Sequence, residues 1–278
     1  MMKPLPKFDH YGLGYPEQFL ISMFGTFFYV VSFLSAGSCL MKYTKLSQCQ
    51  SYKVSSLIVS SLQATMASVA ALIVIFSCYD DILRHQHPLI NLYTAFSMPY
   101  FAYDVWSMYY YYEQPGTFSH KLCGFLKTNG LMIAHHLFIA STGVLVILNW
   151  RHGIGDVIVA FFFFHEFSTP FVCVRNILSI LKMKDTTTYS VNGILMILAF
   201  FICRIAVYPF MFYLYSRQEN IEFAKVVGVL PNICTISSLL ILLPQLYWFS
   251  LMIIGASKHF SNKNTVKRRQ KLNNNKLD

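Results

Sequence analysis

Apolar runs of eighteen residues or more recur along the whole chain, each long enough to cross the hydrocarbon core of a bilayer as a helix. In lipid, backbone N–H and C=O groups must be satisfied within the protein, which leaves only helices and closed barrels as spanning structures. The runs lack the period-2 alternation of barrel strands, so helices remain. Composition agrees. Hydrophobic residues make up 55% of the 278 and charged residues only 12%, whereas soluble domains are about one quarter charged. The chain is therefore expected to be an all-α, polytopic membrane helix bundle. About seven transmembrane helices are expected, near 18–40, 54–77, 88–110, 129–149, 155–178, 191–215 and 227–255. The first run is too long for an ordinary signal-peptide core and reads as a signal anchor, although Ser35-Ala36-Gly37 mimics a cleavage site.

The charge pattern orients the bundle. The net charge of +10 is not a nucleic-acid signature, because seven of the 22 basic residues lie in the last 21 positions, directly after the last span. Such a tail is a topology determinant and a contact for anionic lipid. With an odd number of spans and a cytoplasmic C-terminus, 15 basic residues fall on the cytoplasmic face and six on the other. That bias follows the positive-inside rule. It predicts a lumenal N-terminal tail over 1–17, a first span and cytoplasmic loop over 18–53, six further spans over 54–255 and a basic cytoplasmic tail over 256–278. Lys276 alone does not make a dilysine retrieval signal.

Ionisable groups inside the runs carry the functional reading. His135 and His136 lie in the fourth span, His165 and Glu166 in the fifth, Asp104 in the third and Arg204 in the sixth. A charged side chain in a helix centre costs about 2.5–3.5 kcal/mol on insertion scales, so such groups call for a partner, a cavity or a reaction. His135 is expected roughly 9 Å into its span from the cytoplasmic side, at 1.5 Å per residue. The others sit at comparable depth, and all could line one cavity open to the cytoplasm. Blander readings stand beside this one. Arg204 with Glu166 or Asp104 makes a structural ion pair, His165 packs in the core, and Tyr247 and Trp248 are interfacial. Gln245, beside them, has less reason to be apolar-buried. Adjacent histidines point about 100° apart, so one of the pair acts and the other orients.

Seven scattered cysteines form no CxxC pair and no zinc spacing. His165-Glu166 is not HExxH, because Thr169 stands where the second histidine would be. No metal site and no bound cofactor is expected. Proton or ion transport by the mid-membrane charges is a third reading.

The ordered set of stretches resembles a known family. YFAYDVWSMYY at 100–110, HH at 135–136, WRHGIGD at 150–156, HEFSTPF at 165–171, VNG at 191–193, FFICRIAVYPFMFYLY at 200–215 and PQLYWF at 244–249 are similar to the TLC-domain family, nearest its ceramide synthase-like members. The resemblance covers about residues 54–255. It implies a protein of the endoplasmic reticulum membrane, with the Golgi and plasma membrane as alternatives. It also implies a role in lipid homeostasis and N-acyl transfer from acyl-CoA, as co-substrate, to a sphingoid base to give ceramide. In that reading His135 or His136 is the base or acyl acceptor, Glu166 and Asp104 orient the imidazole or bind the amine, and His165, Arg204 and Gln245 contact the lipid. Partners are membrane lipids and a homo- or hetero-oligomer, not nucleic acid. Ceramide synthases carry HD-x-x-D where this chain has His165, Glu166 and Thr169, so the second acid is missing. The alternative is a non-enzymatic lipid-binding or membrane-regulating protein.

Overall fold

Without water to solvate the backbone, long apolar segments are held to helix until a polar turn or a proline releases them. The computed structural model describes residues 12–113 and 117–274, with side chains to residue 261. The expected N-terminal tail up to residue 11, residues 114–116 of the loop expected after the third span and the final residues with Lys276 lie outside the described residues. Among those described, the chain is helical with no strand. The helices are α1 (Tyr15–Tyr43), α2 (Gln48–Cys78), α3 (Pro88–Tyr110), α4 (Phe118–Thr142), α5 (Asp156–Phe164), α6 (Thr169–Ile180), α7 (Thr187–Phe201), α8 (Val207–Glu219), the single turn α9 (Val226–Val229) and α10 (Asn232–Asn274).

Among the described residues six continuous helical stretches are long and apolar enough to cross a membrane: α1, α2, α4 with its extension, α5–α6, α7–α8 and α10 to Ser261. The expected third span, α3, forms as a helix of 23 residues but does not reach that apolar level. Its tyrosines, Asn91, Ser97, Asp104 and Ser107 lower its hydropathy, and Tyr93, Tyr100, Tyr103 and the four polar side chains are buried against neighbouring helices, while Tyr110 at its end is exposed. The expected loop at 113–128 is also different. Helix α4 starts at Phe118, so Lys121 and Lys127 ride on a helix.

Local chemistry sets the ends and breaks. Ser47 and Gln50 form a reciprocal capping box that starts α2. Pro170 has no N–H to return to the Glu166 carbonyl, and the chain passes from α5 to α6 through a 3₁₀ turn, His165–Ser168. Pro209 likewise cannot bond the Ile205 carbonyl, and a π-helical turn, Ile202–Ala206, joins α7 to α8. A second π-helical segment, Gly143–Trp150, ends α4. The two breaks in α5–α6 and α7–α8 carry His165, Glu166 and Arg204.

Packing follows small residues and serines. Ser55 donates to the Phe33 carbonyl at 2.5 Å, and Ser56 and Ser107 share a 3.0 Å hydrogen bond between α2 and α3. These contacts fit the close helix approach expected of the serine-rich start of α2. Helix α1 lies against α3 so closely that a Cβ at Gly25 would run into the Phe96 carbonyl oxygen. That oxygen belongs to backbone and cannot swing away. Gly25→Val is expected to destabilise the protein by about 1–3 kcal/mol, the usual cost of overpacking. Thermal unfolding in detergent should show a clear drop, whereas Gly130→Ala, inside α4 with nothing within 4 Å of the added carbon, should not lower the midpoint.

At the end where α2 runs into α3, polar ties hold the turns. Gln218 accepts from the Ile82 N–H at 2.8 Å and donates to Asp81 at 2.6 Å, and Arg84 pairs with Glu219 at 3.0 Å. Burial pushes the Asp81 carboxyl up, but the backbone N–H groups of Arg84 and Leu83, the Gln218 amide and the Arg84 charge outweigh it and hold it below its usual range. Arg151 is paired with Asp156 and donates to Asn91 at 3.0 Å.

Candidate functional site

Two polar groups face each other where α4, α6, the π-helical turn and α10 meet. The first begins on α3. Asp104 is 8% exposed and accepts from Ser60 at 3.4 Å, and Ser60 in turn accepts from the Tyr100 hydroxyl at 2.9 Å. The His136 ring, 9% exposed, brings its Nδ1 to 3.5 Å from the Asp104 carboxylate and packs edge-on to Phe101. The contact is a charge contact rather than a hydrogen bond, and among the described residues that nitrogen has no hydrogen-bond partner. A carboxylate behind an imidazole is the arrangement that sets a histidine's orientation and tautomer.

The second group centres on Arg204, which the π-helical turn aims inward. Its Nε donates to Ser168 at 2.8 Å, one terminal nitrogen donates to Gln245 at 3.1 Å, and the other donates to Thr169 at 2.8 Å. The same terminal nitrogen lies 3.6 Å from Glu166, and Phe200 covers the guanidinium at 5.1 Å. Thr169 also donates its hydroxyl proton to Glu166 at 2.7 Å. The threonine is thus a bridge: it accepts from the arginine and donates to the glutamate. On a 3₁₀ turn residues three apart eclipse one another, which places Thr169 over Glu166.

His135 joins the two groups. It neighbours His136, packs edge-on against Trp248 of α10 at 5.2 Å, and lies within electrostatic reach of both Arg204 and Glu166. The two histidines diverge as adjacent helical residues must, one toward Asp104 and the other toward α10.

The sequence candidates are distributed as follows. Asp104 and His136 are together. Glu166, Arg204 and Gln245 are together, and Arg204 takes Glu166 rather than Asp104 as its ion-pair partner. Gln245 is almost fully buried. His165 stands apart. It packs between Phe162 and Tyr208, at 5.4 Å from each ring, and its buried Nε2 has no hydrogen-bond partner. Trp248, expected at the interface, lies against His135, and Tyr247 is exposed. Sequence reasoning also passed over Ser60, Tyr100 and Ser168. The only trace of Ser60 was its place in the serine-rich stretch of α2. Among the described residues no group of three or more His, Cys, Asp or Glu side chains is placed to hold a metal ion.

The chemistry open to this arrangement is proton transfer at His136, backed by a buried acid, beside a fixed cation that can face negative charge. The family model of the TLC domain, named for the TRAM, LAG1 and CLN8 proteins, matches residues 53–254. No solved structure matches the chain.

Proposed function

Because the chain belongs to the TLC-domain family, whose members are membrane proteins of lipid metabolism or its regulation, we propose that it is a lipid N-acyltransferase of the ceramide synthase kind. The observation that carries this reading is the His136–Asp104 contact at 3.5 Å, buried within the bundle. With Nδ1 toward the carboxylate, Nε2 is the ring nitrogen left for substrate. His136 takes a proton from the sphingoid amine as the amine attacks the thioester carbonyl of acyl-CoA. The C–N bond forms, the C–S bond breaks, and the histidine returns the proton to the departing thiolate. Arg204, held in place by Ser168, Thr169 and Gln245, supplies positive charge near the developing oxyanion. In this proposal the site opens to the cytoplasm, the N-terminus is lumenal, the C-terminus is cytoplasmic, α3 is the seventh span and the membrane is that of the endoplasmic reticulum.

The bridging role of Thr169 favours a second reading. It ties Glu166 to Arg204 where a ceramide synthase has a free second acid, so the same cluster reads as a structural lock in a protein that binds lipid without converting it. One assay separates the two. Purified protein in detergent receives labelled acyl-CoA and sphingosine, and the N-acylated product is measured. Product above the no-protein control is the expected result. Absence of product, with a lipid still retained in native mass spectrometry, would establish the binding protein instead.

A further inference from the structure

Away from the histidines, at the end of the bundle bearing Lys182, Lys184 and Lys258, α6, α7 and α10 line a shallow groove that is open on one side. Its head is polar: Arg175, Tyr189, Ser190 and His259. Its floor is apolar: Gly193, Met196, Ile197 and Met252. The Arg175 guanidinium lies over the Tyr189 ring, 5.5 Å from the centroid. One of its nitrogens reaches α10, 3.7 Å from where a Cβ on Gly255 would be. Among the described residues no carboxylate pairs with it. His259 packs on the other side of Tyr189 at 5.3 Å, and its Nε2 is 3.3 Å from the Ser190 hydroxyl.

We propose that this groove binds the phosphate headgroup of an anionic phospholipid, with an acyl chain lying over Gly193, Met196 and Met252. An arginine near the end of a membrane helix reaches the headgroup level, and a guanidinium fork matches a phosphate with two parallel donors. Ser190 and His259, hydrogen-bonded to each other, lie beside it. The transition from a cationic head to an apolar floor, running along the helices, has the polarity of a phospholipid rather than of a soluble ion. A lysine patch alone attracts anionic membrane without binding any one lipid. The fork against an aromatic ring, with an open apolar slot beneath, makes a defined seat. The proposal is independent of the acyl-transfer reading.

The test is native mass spectrometry of the full chain released from micelles carrying equal phosphatidic acid and phosphatidylcholine. Wild type is expected to retain phosphatidic acid about fivefold over phosphatidylcholine, the factor that goes with one well-placed basic side chain. Arg175→Gln should bring the ratio to parity. Gly193→Leu should do the same without touching charge, because nothing lies within 4 Å of an added carbon there and the side chain fills the slot rather than straining the helix. Arg84→Gln, an equal change of charge at the other end, should keep the wild-type ratio. Parity in wild type, an unchanged ratio in Arg175→Gln or Gly193→Leu, or an equal loss in Arg84→Gln overturns the site. Excess inorganic phosphate distinguishes the sources. Enrichment that survives it supports a lipid headgroup, and enrichment erased by it overturns the lipid in favour of free phosphate.

Discussion

His136→Gln is expected to lower acyl transfer by about 10²–10⁴-fold, the usual contribution of a positioned general base. Glutamine is chosen over alanine for a physical reason. Alanine would open a cavity against Phe101 and strand the Asp104 carboxylate, whereas glutamine fills much of the space and keeps an N–H to offer that acid. It cannot accept the amine proton at neutral pH. Stability and lipid retention should therefore stay close to wild type while turnover collapses. His135→Gln should cost less, because His135 packs on Trp248 and has no carboxylate behind it. Asp104→Asn should fall between the two, since it keeps a hydrogen-bonding group but removes the charge that favours the imidazolium. The measurement is product formed per minute at saturating acyl-CoA, with thermal unfolding run on the same preparations. Turnover within tenfold of wild type in His136→Gln would remove this residue from the chemistry.

The helical architecture was legible because apolar runs in lipid have one common solution, and six of the expected runs form helices long and apolar enough to span, among the described residues. Less legible was α3. It was expected as a span, yet its Tyr, Asn, Ser and Asp side chains keep it below the apolar level of the other six, and most of those groups are buried by neighbouring helices. Hydropathy counts side chains one at a time, whereas their cost depends on partners elsewhere in the chain. The same limit applies to the site. The residues that bear charge stood out one by one against an apolar background, but their pairing did not. Arg204 could have met Asp104 or Glu166 by depth alone. The choice follows from the breaks at Pro170 and Pro209, which turn Glu166, Ser168, Thr169 and Arg204 toward one point. Thr169 is the sharpest case. Taken as a missing acid it counted against function, and in the fold it is the hydrogen-bonded link between an acid and a base. A hydroxyl that both donates and accepts cannot be recognised until its two partners are in place.

Arg204 is where the largest stability effect is expected. Its guanidinium donates to Ser168, Thr169 and Gln245 and faces Glu166, so every nitrogen is engaged. Arg204→Met keeps the bulk and removes all of it. Gln245, almost fully buried, loses the Arg204 hydrogen bond, and Glu166 becomes an uncompensated charge inside the bundle. Removing one partner of a buried pair costs about 3–5 kcal/mol. Glu166 is 25% exposed at its side chain, so partial solvation places the result toward the lower end of that range. Arg204→Lys should recover only part of the loss, because an ammonium is a point charge and cannot serve three acceptors spread around a planar fork. The decisive variant is Arg204→Met combined with Glu166→Gln. Neutralising the glutamate removes the stranded charge, so the double variant should unfold at a higher temperature than Arg204→Met alone. Additive losses in the double variant would mean that the two side chains do not form a coupled pair. The arginine would then be held chiefly by its neutral partners, and charge balance would have no part in shaping this end of the site.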